Sequence, residues 1–107
     1  MSKEQVFCTQ LKGKQKFLRL LGDSGKVKGL RCGYVVLKPK ESVGEHNTGP
    51  CEEVILIISG SGLVCYGKKS RVKVKKNSFV YIRPKMPHNV TNTSKDLLKY
   101  IYTAARV

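Results

Sequence analysis

Gly44-Glu45-His46-Asn47-Thr48-Gly49-Pro50-Cys51-Glu52-Glu53-Val54-Ile55-Leu56-Ile57-Ile58-Ser59-Gly60 opens a window that closes with Asn77-Ser78-Phe79-Val80-Tyr81-Ile82-Arg83-Pro84-Lys85-Met86-Pro87-His88-Asn89-Val90-Thr91-Asn92. Apolar runs of strand length stand between clusters of turn formers, which is the pattern of a small all-β barrel or sandwich. Both histidines of the chain, His46 and His88, lie in this window. With Glu53 they form a set of imidazole and carboxylate groups that suits Fe, Zn, Mn or Ni and leaves coordination positions open.

The same rhythm extends outward. Breakers fall at Gly22-Asp23-Ser24-Gly25, Gly67-Lys68-Lys69-Ser70 and Asn92-Thr93-Ser94. Strands are expected near residues 5–10, 15–21, 28–38, 53–59, 62–67, 70–75, 78–83, 87–92 and 96–105. Phe17, Leu18, Leu20 and Leu21 also fit a helical face, so a short helix is the alternative over 15–21. Arg71-Val72-Lys73-Val74-Lys75 alternates strictly, which predicts Val72 and Val74 inside and the cations in water. Gly67-Lys68-Lys69-Ser70 reads as the hairpin turn before it. Val54–Ile58 is apolar on both faces, so its strand is expected to be covered twice, the second time by another sheet or a partner subunit.

With 107 residues, one domain spanning 1–107 is expected. No apolar run approaches the roughly 18 residues of a membrane span, and Met1–Gln5 is not followed by the apolar stretch of a signal peptide. A cytoplasmic protein without membrane attachment is the expectation. Cys8, Cys32, Cys51 and Cys65 show no Cys-x-x-Cys pair or zinc-finger spacing. They are expected as reduced, buried or half-buried thiols, with Cys51 near the pocket mouth as a candidate reactive thiol or extra ligand.

The net charge of +14 is unevenly spread. Residues 41–67 carry four glutamates and no cation, residues 1–40 ten basic and two acidic groups, and residues 68–107 eleven and one. A basic shell around an acidic, His-bearing centre favours a small anionic ligand through its field. Specific nucleic-acid binding is not expected. There is no nucleic-acid motif, and aromatic residues are only 7% of the chain, so stacking platforms are scarce.

His46 and Thr48 are two apart and on a strand would face the same way. Glu53 opens the next strand after the turn at Gly49-Pro50, and His88 lies on a later one. Period two allows only one of Glu52 and Glu53 to face inward, and Glu53 shares its face with Ile55 and Ile57.

These residues resemble the two motifs of the cupin family. The first is Gly, five residues, His-x-His, three or four residues, Glu, six residues, Gly. His46 takes the first His place, Thr48 the second, Glu53 the Glu place and Gly60 the final Gly place. The second motif ends in Pro-x-Gly-x-x-His-x-x-x-Asn. His88 and Asn92 match it, Arg83 and Lys85 replace its proline and glycine, and Asn77 stands at its opening glycine. The resemblance covers about residues 30–105. It implies a double-stranded β-helix, or jelly-roll barrel, holding a divalent metal through His46, Glu53 and His88.

Family members include dioxygenases, decarboxylases, sugar isomerases and epimerases, and non-catalytic binding modules, so the fold does not choose the reaction. The expected function is a metal-binding cupin that acts on or binds a small anionic metabolite inside the barrel. The alternative is a non-catalytic binding or sensor module whose metal site Thr48 has weakened or emptied. Thr48, Arg31, Tyr34, Arg83 and Asn92 are the candidate ligand-binding residues, and Asn92 also suits a brace for the turn after His88. Tyr81, Tyr100 and Tyr102 are further strand tyrosines whose hydroxyls can face a ligand. A homodimer paired sheet against sheet is expected.

Overall fold

The computed structural model describes residues 6–22 and 29–107. Among them run eight strands: β1 (Phe17–Leu21), β2 (Leu30–Leu37), β3 (Cys51–Ser59), β4 (Ser61–Tyr66), β5 (Ser70–Lys75), β6 (Phe79–Ile82), β7 (His88–Thr91) and β8 (Leu98–Arg106). No helix occurs among the described residues. The 15–21 segment is a strand: β1 pairs with β2, so its apolar residues serve a sheet. Of the expected strand at 5–10, residues 6–10 have no regular structure, because no ladder reaches them; Gln5 lies outside the described residues. So do Lys28, the expected first residue of β2, and Asp23 to Gly25 of the expected turn.

The strands form two antiparallel sheets. One has the order β1-β2-β8-β3-β6 and the other β5-β4-β7. Their inner faces make one core. Val35, Leu37, Ile55, Ile57, Leu98 and Tyr100 from the larger sheet meet Val64, Val74 and Val90 from the smaller. The register explains why. Across the larger sheet, Val35 pairs with Tyr100 and Tyr100 with Ile57, so one inward row crosses three strands. The next rows are Gly33–Tyr102–Ile55 and Arg31–Ala104–Glu53. Small and polar side chains thus replace large apolar ones toward one end of the barrel, and there the core gives way to a cleft.

The outward residues behave differently from the expectation for Val54–Ile58. Ile55 and Ile57 are fully buried, but Leu56 on the opposite face is 43% exposed. Its neighbours across the pairing with β6 are Phe79 and Tyr81, also exposed. Among the described residues, Leu56, Phe79 and Tyr81 leave that face of β3 and β6 open. The smaller sheet ends at β5, where Arg71, Lys73 and Lys75 are exposed as the alternation predicts. Val74 is buried but Val72 is exposed, on a strand at the edge of its sheet.

Candidate metal centre

His88 is the first residue of β7, and Pro87 fixes the backbone entering it. His46 is not on a strand, as the sequence reading supposed. It makes an isolated antiparallel bridge with His88, each donating its amide to the other's carbonyl at 2.9 and 2.8 Å. Gly44 at φ 98° and Gly49 at φ 61° interrupt any longer strand. The bridge places the two rings together, with centroids 4.3 Å apart. Glu53 arrives from β3 on the inward face, and Glu52 points the other way, accepting a hydrogen bond from Tyr81 at 2.7 Å. The ligand atoms of His46, Glu53 and His88 all lie within 4.8 Å of one another.

The hydrogen bonds assign the imidazole nitrogens. Nδ1 of His88 is 2.8 Å from the Met86 carbonyl, and Nδ1 of His46 is 3.0 Å from the Gly44 carbonyl. A carbonyl only accepts, so Nδ1 carries the proton in both neutral rings and Nε2 keeps its lone pair. This is the arrangement by which backbone carbonyls orient metal-binding histidines. Nε2 of His88 is buried without a hydrogen-bond partner. Glu53 lies 3.3 Å from it, and the two side chains are almost fully buried. An orphaned lone pair beside a buried carboxylate is costly unless a cation joins them, and the three residues therefore fit a divalent ion. Burial lowers the His88 pKa, but the adjacent Glu53 carboxylate, with the Met86 carbonyl, outweighs it and leaves it raised. A proton thus satisfies the pair where no metal does.

The site opens into a cleft of about 510 Å³. Its floor is the inward face of β1, β2 and β8, with Phe17, Arg19, Arg31, Val35, Tyr100, Tyr102 and Ala104, and one wall is the Val43–Thr48 loop. Burial and the nearby Glu53 charge push the Tyr100 hydroxyl well above its ordinary range, so it stays a neutral donor.

The other candidate residues divide. Arg31 lines the cleft and donates from Nη2 toward Cys51 Sγ at 3.6 Å. Thr48 also lines it, but its hydroxyl donates to the Cys51 carbonyl at 2.9 Å, closing the turn rather than holding a proton for a bound water. Tyr34 does not reach the cleft. It is one residue out of phase with Gly33 and Val35 and lies on the opposite face of β2. Arg83 is exposed outside the cleft and bonds the Pro84 carbonyl. Asn92 is a brace: its amide donates to the Leu37 and Asp96 carbonyls and its oxygen accepts from Ser94, which leaves little for a ligand. Cys51 is not in the group of possible metal ligands. All four thiols are free, and Cys8 is exposed rather than buried. Arg19 escaped the sequence reading because the helical alternative over 15–21 hid the alternation that puts it on one face with Phe17.

Two antiparallel sheets closed over a His–Glu–His group define a class of protein, the small β-barrel with an internal site able to hold a metal ion. The cupin domain model matches residues 33–103, and the chain belongs to the cupin family. Among similar solved structures is a cupin with a double-stranded β-helix from Methanocaldococcus jannaschii. It has a TM-score of 0.80 at 18% identity and covers 98% of this chain and 93% of that one. A predicted oxalate decarboxylase from Thermotoga maritima gives 0.76 at 21%, over 85% and 79%. A Bacillus halodurans protein gives 0.69 at 21% over 74% of this chain, which spans 64% of that protein's length. At these identities the likeness is one of fold. A comparison with curated proteins found no match. No helix among the described residues is long and apolar enough to cross a membrane.

Proposed function

We propose that this cupin holds a divalent metal through His46 Nε2, Glu53 and His88 Nε2, and that a small anionic metabolite binds beside it in the cleft. The observation that carries this reading is the buried, unpartnered Nε2 of His88, oriented by the Met86 carbonyl and facing Glu53. When bound, the metal supplies a Lewis acid for an oxygen of the ligand. The chain's own residues do the rest: Glu53 supplies compensating negative charge, Tyr100 offers a buried hydroxyl proton, and the Val43–Thr48 loop walls the ligand from one side. The test is metal content after purification without chelators, followed by titration of stripped protein with Fe, Mn, Zn and Ni. Stoichiometric uptake of one ion supports the reading, and absence of uptake of all four ends it.

A second reading is favoured by what the cleft lacks. Glu53 is engaged with His88, Glu52 is turned outward to Tyr81, and Glu45 is exposed at the rim. Among the described residues, no spare carboxylate stands buried beside the ligand set as a general base. On this reading the protein binds or senses a metabolite without converting it. Saturable binding with no product over long incubation separates this from catalysis.

We also propose that two copies pair through the open face of β3 and β6, covering Leu56, Phe79 and Tyr81.

A further inference from the structure

We infer that the β1–β2 end of the cleft is an oxyanion-binding subsite, built by Arg19, Arg31 and the Tyr102 hydroxyl. The cleft would then take ligands with two ends: an oxygen donor toward His46, Glu53 and His88, and a carboxylate or phosphate toward the arginines. This rests on reading the cleft as a ligand pocket.

Arg19 and Arg31 lie on adjacent strands, and both line the cleft. Arg31, Ala104 and Glu53 form one inward row across β2, β8 and β3. Two strand spacings separate the Arg31 and Glu53 backbones, about 10 Å. The residue between them is Ala104, whose methyl leaves that interval open. The neighbouring row is Arg19–Gly33–Tyr102. Gly33 has no side chain, and the tip of the Tyr102 ring, hydroxyl included, occupies the place a Cβ would take. Tyr102 therefore leans across β2 toward the arginine side. Two arginines and a tyrosine on three neighbouring strands line this end of the cleft, a set of side chains that suits a planar or tetrahedral oxyanion. The metal-ligand group lies at the other end of the same row. Among the described residues, the Arg31 guanidinium makes one hydrogen bond, the long one to a thiol, which an oxyanion would readily replace.

The test is calorimetric titration of the full-length protein, metal-loaded and metal-stripped, with two pairs of probes. Malate and lactate differ by a distal carboxylate, and 3-phosphoglycerate and glycerate by a phosphate. The expected result is that the acid-ended member of one pair binds at least about tenfold tighter, and which pair does so identifies the oxyanion. Arg19→Gln and Arg31→Gln should each cut that preference to about threefold or less, leaving metal affinity and the weaker probe unchanged. Lys73→Gln, on the distant β5 edge, should preserve it. A wild-type protein with no preference, a preference surviving both arginine variants, or one lost equally in Lys73→Gln would overturn the subsite. Metal uptake is measured on the same samples. Uptake without preference sinks this inference alone, and preference without uptake sinks the metal reading alone.

Discussion

At the scale of single residues, the site turns on which of two adjacent glutamates faces inward. Period two along β3 puts Glu53 with Ile55 and Ile57, and Glu52 outside against Tyr81. Glu53→Gln should weaken metal binding by more than the roughly 10–100-fold that a supporting residue costs. Glu52→Gln should leave it nearly unchanged; competition against a chromophoric chelator reads both. The His88–Glu53 pair also makes a pH signature. The His88 pKa is raised above its ordinary 6.5 in the folded state. Its contribution to the stability of metal-free protein is therefore complete below 6.5 and is lost as pH rises through the folded value. Metal-free protein should show a lower urea midpoint at pH 8.5 than at pH 6, and His88→Gln should abolish that component. Saturating metal should reverse the trend, since the ion competes with the proton for Nε2. These residues were legible because the pattern is one-dimensional: alternation chooses Glu53, and spacing from Glu53 to Gly60 agrees. Tyr34 and Arg83 misled because a residue type names a chemistry but not a face. Asn92 was readable as a brace, but only its four hydrogen bonds show that bracing consumes the side chain.

At the scale of turns and strands, the backbone keeps the cupin motif where the side chains have departed from it. Among the described residues, the non-glycine positions with positive φ are Lys40 at 70°, Asn77 at 73° and Lys85 at 63°. Lys40 stands six residues before His46, where the first motif opens with glycine, and Asn77 and Lys85 take the two glycine places of the second. The turn geometry has outlasted the residue that makes it easy. Lys85→Gly should relieve left-handed strain and stabilise by about 0.5–1 kcal/mol after the entropic cost of glycine, seen as a higher thermal midpoint. Gly60 is the contrasting case. It too has positive φ, at 86°, but a Cβ there would strike the Leu97 carbonyl and the Leu98 backbone. Gly60→Ala should cost about 2 kcal/mol or more. Exposed turns tolerate lysine or asparagine because the strain is their whole cost, whereas Gly60 faces a packing limit as well. The loop bearing His46 was the element least legible in sequence. Its spacing suits a strand, but its position depends on the bridge to His88 and on Asn89, whose side chain accepts the Gly44 amide at 2.9 Å. Both are contacts over forty residues.

At the scale of the whole molecule, the exposed face of β3 and β6 bears on assembly. Sedimentation should give about twice the 12.0 kDa of one chain at micromolar concentration. Phe79→Glu, which places charge on a residue 66% exposed in the single chain, should return the mass to one copy without unfolding it. A wild-type protein sedimenting as one copy would refute the pairing. The opposite flank behaves in the contrary way. β5 is an edge of the smaller sheet, with Arg71, Lys73 and Lys75 along it. A third chain approaching to extend that sheet would have to bring an identical row of cations against this one. The charge that could be taken as affinity for some polyanion is therefore also a barrier to polymerisation along this edge. Replacing Lys73 and Lys75 by threonine should leave the fold intact and shorten the lag before amyloid-like fibres form on agitation.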